Sequence, residues 1–204
     1  MAIMESSLFL GQLARMFSRQ HDKLVRASVL AQIPENAICA EIGVYKGHFS
    51  DLIWERNPKK LHLIDPWKFE LDPSYAASWY GGSLGRSQAY MDAIYRSVVR
   101  RFRAAIKSGA IEVHRGSSAK CCAQFSDDYF DWVYIDGNHQ YDFVKQDLEM
   151  YLPKVKRHGL IAGDDYGTPG WWQDGVTQAV DEAVGSGRVE RLHIENHQFL
   201  LRKA

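Results

Sequence analysis

Cysteine is scarce in this chain, and neither sign of charge is in excess. Three cysteines occur in 204 residues, and two of them, Cys121 and Cys122, are adjacent. An odd count of this kind excludes a disulfide framework. No paired CxxC motifs are present, which argues against a structural zinc site. The expected setting is reducing and cytoplasmic. Lys and Arg total 25, as do Asp and Glu. A protein that holds nucleic acid by neutralising phosphates carries a basic excess, so nucleic acid is not the expected partner. No apolar run approaches the ~18–20 residues of a membrane span. The run Leu8-Phe9-Leu10 is short, and Arg15 and Arg19 follow it rather than precede it, the wrong order for a secretory signal. Internal repeats and low-complexity stretches are absent. So is the G-x-G-x-x-G loop of dinucleotide enzymes.

What remains is an ordinary globular composition, 46% hydrophobic and 25% charged, in a length that suits one domain. Apolar residues from Leu8 to Leu30 recur at three-to-four spacing, which predicts a helical N-terminal region closed by Pro34. Strand patterns then alternate with helical ones. Residues 37–43, 61–65, 111–116, 131–137 and 159–165 read as strands, and 50–55, 86–107 and 141–151 as helices. This alternation predicts a parallel sheet covered on both faces. The last two strands, 188–195 and 197–203, are separated only by Asn196 and must pair antiparallel. The expected fold is therefore α/β, a Rossmann-like doubly wound sheet of about seven strands. It is mostly parallel, with one antiparallel strand near the edge and helices on both faces, in a single domain over 1–204.

Residues 66–85 break the alternation. They are irregular and aromatic, with Trp67, Phe69, Tyr75, Trp79 and Tyr80. A structureless loop of that length is uncommon and often functional. It reads as a lid over the site, the alternative being a packed surface excursion. Together with the helix to residue 108 it forms an insertion.

In open α/β sheets, ligands bind at the carboxyl ends of the strands. That rule collects polar residues from five strands: Glu41, Gly43, Tyr45 and Gly47 around the first, Asp65 after the second, and Ser117 and Ser118 after the third. Asp136 and His139 follow the fourth, and Asp164 and Asp165 the fifth. Glycines at 43 and 47 suit a tight turn or a close ligand. An acid at Asp65 suits ribose hydroxyls. Together they favour an adenosine-containing ligand, and the missing middle glycine leans away from a pyrophosphate. Asp136, Asp164 and Asp165 repel one another unless a cation intervenes, and their hard oxygens suit Mg²⁺, Mn²⁺ or Ca²⁺. The plainer alternative is that Asp164 and Asp165 only shape a turn. His139 is placed to accept a proton from a substrate hydroxyl.

The segments EIGVYKG, LIDPW, HRGSS, YIDGNHQYDFVKQDL and GLIAGDDY resemble the class I S-adenosylmethionine-dependent methyltransferases. Among these, the chain is similar to the macrocin- and mycinamicin-type sugar O-methyltransferases and to relatives of the cephalosporin hydroxylase protein. Many relatives carry His-Asp where this sequence has Asp164-Asp165. The resemblance implies a cofactor loop of Glu41, Gly43, Tyr45 and Gly47, with Glu41 near the methionine amino group. It further implies Asp65 on the ribose, and Ser117 or Ser118 near the adenine. Asp136, Asp164 and Asp165 would hold a divalent cation, Mg²⁺ by donor type, and His139 would be the general base. The implied reaction is metal-assisted O-methylation of a small-molecule hydroxyl, with S-adenosylmethionine as donor. The acceptor is a sugar or natural product, and Trp171 and Trp172 are candidate walls of its pocket. A homo-oligomer fits equally. Two rival readings are an NAD-dependent oxidoreductase and a non-catalytic cofactor-binding or interaction protein. The second draws on Arg96, Arg100, Arg103 and Lys107 along one helix.

Overall fold

The computed structural model describes residues 23–204. Most of the expected N-terminal helix lies outside them; within them it contributes α1, Ala27–Leu30. Seven strands form one sheet: β1 Ile38–Ile42, β2 Lys60–Asp65, β3 Ile111–Arg115, β4 Phe130–Ile135, β5 Val155–Gly163, β6 Val189–Glu195 and β7 Gln198–Lys203. Their order is β3-β2-β1-β4-β5-β7-β6. Strands β3 to β5 pair in parallel. Strand β7 runs antiparallel to both β5 and β6, so the one reversed strand lies next to the edge, as its short connection requires.

The central strands are buried on both faces, as a sheet sandwiched by helices demands. On one side Cys39, Leu61, Trp132 and Tyr134 pack beneath α2, His48–Trp54, and α4, Gln88–Arg101. On the other, Ile42, Val133, Ile135 and Ile161 pack beneath α6, Ser118–Cys122, α7, Tyr141–Tyr151, and α8, Gly175–Gly185. No helix of the described residues is long and apolar enough to cross a membrane.

Three expectations shift. The predicted helix over 86–107 starts at Gln88, where the Ser87 side chain accepts a hydrogen bond from the Tyr90 N–H. It breaks at Phe102, whose φ of −96° and ψ of 13° leave the helical region, and resumes as α5, Arg103–Lys107. The fifth strand ends at Gly163, so Asp164 and Asp165 stand in the loop beyond it. Residues 66–85 are not structureless. They hold a 3-10 turn at Pro73–Tyr75, a short α3 at Gly82–Gly85 and a bridge between Glu70 and Gly81. Trp67 in particular is no lid residue. It is fully buried, its indole N–H donates to the Tyr45 carbonyl at 2.8 Å, and its ring lies 5.1 Å from that of Tyr95. A two-ring side chain beside a strand end stabilises more as core than as a movable cover.

The strand order reverses between β1 and β4. The chain builds outward from β1 to β3, then returns to build β4 and β5 on the other side. This is the topological switch point, where the loops part and leave a crevice.

Candidate active site

At the switch point lies a cavity of about 490 Å³, within the size range of small-molecule sites. Gly43, Asp65, Ser117, Ser118, Gly137 and Asp147 line it, and Tyr75, Tyr80 and Trp171 stand over it. The cavity therefore gathers the ends of β1, β2, β3 and β4. Sequence reasoning placed Gly43, Asp65, Ser117 and Ser118 there, and the structure brings those four together.

Their local reasons differ from expectation in two cases. Gly43 has φ of +91°, and a Cβ built on it would fall 1.9 Å from the Asp136 carbonyl oxygen. The glycine makes room for the neighbouring β4 loop, and it also lines the cavity. Asp65 is 1% exposed, and protein donors meet both its oxygens. Oδ2 accepts from the backbone N–H groups of Val44, at 3.0 Å, and Tyr45, at 2.8 Å, and from the Tyr80 hydroxyl. Oδ1 accepts from the Trp67 N–H at 2.6 Å. Burial raises its pKa, and those four hydrogen bonds work against the rise. Asp65 thus fastens the first loop and the aromatic segment to the end of β2, at the edge of the cavity.

Glu41, Tyr45 and Gly47 are not among the residues that line the cavity. Glu41 is 1% exposed and accepts a hydrogen bond from the Ser50 hydroxyl beneath α2; burial holds its pKa well above the carboxylate range. The Tyr45 ring packs 5.9 Å from Trp79 and 5.7 Å from Tyr80. Gly47, at φ +70°, is the left-handed residue that starts α2.

Asp147, on α7, was missed as a site residue. It is 4% exposed and lines the cavity, and its Oδ1 is buried without a hydrogen-bond partner. Burial pushes its carboxyl up to about 6, against a hydrogen bond from Ser118. An orphaned buried oxygen on a cavity-lining side chain is a place for a ligand donor.

A second group of side chains lies around the loop after β4, outside the cavity lining. His139 stands between two carboxylates, with Nε2 3.2 Å from Asp136 Oδ1 and Nδ1 3.3 Å from Asp165 Oδ2. Trp172 packs edge-on against the imidazole at 4.7 Å. Burial opposes the charged ring, but Asp136, Asp165 and Asp164 outweigh it, so its pKa is raised. Asp165 is pushed up to about 6, first by burial.

The acidic trio of Asp136, Asp164 and Asp165 is arranged differently from expectation. Arg26, just before α1, donates from Nη2 to Asp136 Oδ2 at 3.1 Å and to Asp164 Oδ2. Its guanidinium lies over the Phe49 ring at 4.7 Å. Asp164 Oδ1 accepts from the Asp165 N–H and from the Gln198 amide. Tyr134 donates in turn to Gln198 Oε1 at 2.6 Å. Both Asp164 oxygens are therefore in use. The donors that converge are Asp136, His139 and Asp165, whose ligand atoms lie within 4.8 Å of one another. In that set His139 takes the place expected for Asp164, whose oxygens are occupied by Arg26, Gln198 and the Asp165 N–H. Arg26 brings a positive charge to Asp136 and Asp164. Nothing in its spacing or neighbours marked it.

A family model described as a methyltransferase domain matches residues 40–166. No curated protein matches the chain. Among solved structures, a Corynebacterium glutamicum protein aligns over 100% of this chain and 98% of its own, at 16% identity and a TM-score of 0.58. The O-methyltransferase TomG from Streptomyces achromogenes, solved with S-adenosylmethionine, aligns over 91% of this chain and 79% of its own, at 15% identity and a TM-score of 0.60. An O-methyltransferase family protein from Burkholderia thailandensis aligns over 98% of this chain and 61% of its own, at 14% identity and a TM-score of 0.52. Likeness at these identities shows the fold.

Proposed function

Because the chain belongs to the methyltransferase-domain family, we propose that it moves the methyl group of S-adenosylmethionine to a hydroxyl of a small molecule, a sugar or natural product, with His139 as general base. The observation that carries this reading is the loop after β4. Gly137 and Asn138 line the cavity, while Asp136 and His139, the residues on either side of them, form the acid–base group. A donor in the cavity and an acceptor held by His139 would meet at the edge of this loop, in direct contact, as in-line transfer requires.

S-adenosylmethionine, when bound, supplies a methyl group already activated on a sulfonium. The protein's task is then to position and to deprotonate. Asp147 Oδ1 and the Ser117–Ser118 turn offer groups for the nucleoside end of the donor. A neutral His139 carries one N–H, which donates to one flanking carboxylate and leaves the other ring nitrogen to take the acceptor's proton. The imidazolium that forms lies between Asp136 and Asp165, which stabilise it. Arg26 offsets the charge of Asp136 and Asp164, so that part of the positive charge is built into the chain. Trp172 fixes the ring, and Trp171 faces the cavity. No step is routed through a metal.

The test is calorimetric titration of S-adenosylhomocysteine into the purified protein, with NADH as competitor. We expect micromolar binding that NADH does not displace, followed by turnover in an acceptor screen that is unchanged by a chelator. A folded protein that binds no S-adenosylhomocysteine at millimolar concentration would overturn the reading. Methyl transfer that stops on chelation would overturn its metal-free part.

A further inference from the structure

A separate group of ligand-type side chains lies on the first edge of the sheet. His62 of β2 and Glu112 and His114 of β3 project from one face of neighbouring strands. His62 is paired in register with Glu112, and His114 lies two residues on. His62 Nδ1 and His114 Nε2 are 2.9 Å apart. Glu112 Oε2 lies 3.5 Å from the first and 3.8 Å from the second. These three separations bracket the ~3.3–3.4 Å edge of a tetrahedron with bonds of ~2.0–2.1 Å, the geometry of zinc on nitrogen and carboxylate. Two imidazoles and one carboxylate are also a recognised zinc donor set.

The surroundings favour the ligand state of each group. The other nitrogen of His62, Nε2, lies 3.1 Å from the Tyr129 hydroxyl. When Nε2–H donates there, Nδ1 carries its lone pair toward His114 and Glu112. Such a partner on the outer nitrogen is what fixes a ligating histidine. Gln124 hydrogen-bonds the His114 ring. The remaining carboxylate oxygen, Glu112 Oε1, is held by Lys60 at 2.6 Å, so Oε2 is the one that faces the rings. Burial, and then His114, push His62 down to about 4, and a neutral imidazole is the ligand form. Glu112 is 45% exposed on its side chain, which leaves an entry path. A cysteine count does not detect a site of this kind.

We propose that His62, Glu112 and His114 form a binding site for a borderline divalent cation of the Zn²⁺ class, which pins the edge strand β3 to β2. The site is independent of the methyltransferase reading. His62 lies three residues before Asp65 on β2, about 10 Å along the strand. Lys60 sets the affinity from outside, because its ammonium competes for Glu112 and repels the cation.

The experiment is a titration of the metal-stripped full chain with Zn²⁺ by calorimetry, and with Co²⁺ by visible absorption. The wild type, His114→Gln, Glu112→Gln, Lys60→Gln and Asp165→Asn are compared, with folding checked by far-UV circular dichroism. The expected result is one Zn²⁺ per wild-type chain and a tetrahedral Co²⁺ spectrum. Affinity should fall more than tenfold in His114→Gln and in Glu112→Gln, rise in Lys60→Gln and hold in Asp165→Asn. Should His114→Gln fail to fold, the exposed Glu112→Gln variant decides. Absence of Zn²⁺ binding by the wild type would overturn the proposal. So would binding that survives in both His114→Gln and Glu112→Gln, or that disappears in Asp165→Asn.

Discussion

Replacing Arg26 with glutamine removes the guanidinium that spans Asp136 and Asp164. The side chains involved are 17%, 22% and 17% exposed for Arg26, Asp136 and Asp164, so water reaches them poorly. Breaking a buried charge pair by deleting one partner costs about 3–5 kcal/mol. Partial exposure puts this case at the lower end, about 2–3 kcal/mol, which for a chain of this size lowers Tm by about 5–10 °C. Most of that cost is the charge left behind. The double variant Arg26→Gln with Asp164→Asn should therefore be more stable than the sum of the single effects, by about 1–3 kcal/mol of coupling. The assay is urea unfolding of the four proteins of the cycle. The same argument predicts the effect of Mg²⁺. Millimolar Mg²⁺ should leave the wild-type Tm unchanged and raise that of Arg26→Gln, because the carboxylates have lost their cation. An Arg26→Gln variant within 0.5 kcal/mol (about the spread of ordinary surface changes) would refute the reasoning, as would strict additivity in the cycle.

Two further outcomes follow from the titrating groups. The raised pKa of His139 places the acidic limb of kcat/KM, where the proposed base is lost by protonation, above the ordinary histidine value of about 6.5. The stability that His139 contributes is present below its unfolded pKa and is lost as pH rises through the folded one, so a limb and an unfolding profile centred at or below 6.5 would contradict this assignment. Asp147 is an acid with a folded pKa pushed up to about 6, so it destabilises when ionised. Asp147→Asn should raise the unfolding free energy at pH 8 more than at pH 5, by at most about 3 kcal/mol, while weakening S-adenosylhomocysteine in calorimetry; a pH-independent gain would count against the buried charge.

The layout of the sheet was legible because it rests on local signals. A run such as Trp132 to Ile135 is apolar on both faces, which only a covered sheet accommodates. The single residue between the last two strands dictates their reversal. The helix Tyr141–Tyr151 is found at its expected ends. Boundaries failed where a tertiary contact decided them. Trp67 enters the core because its indole finds the Tyr45 carbonyl, a partner distant in sequence. Asp65 was correctly placed at a strand end, but the four donors that converge on it come from two other segments. Arg26 is the clearest case. A lone arginine on an N-terminal helix reads as a solvated charge, and only the fold brings it to carboxylates 110 and 138 residues away.

The loop from Asp136 to Gln140 explains why the acid–base group and the cavity belong to one device. Alternation along a strand sends neighbours to opposite faces, and the loop continues that division. Asp136 and His139 turn toward Arg26 and Asp165, while Gly137 and Asn138 turn toward the cavity. The Asn138 amide donates to the Tyr75 hydroxyl at 2.8 Å, and its oxygen accepts from the Gln140 N–H at 2.8 Å. One side chain thus ties the aromatic segment at the cavity to the start of α7, and the loop leaves β4 through Asp136, five residues before α7 begins. Gly43 completes the arrangement, since any larger residue would strike the Asp136 carbonyl. The first loop and the fourth loop are therefore held at van der Waals contact, and under the proposed function a donor seated against one would be fixed relative to the base carried by the other. Positional accuracy of this kind is what an in-line transfer between two bound molecules requires. Here the backbone contact between the two loops would supply it.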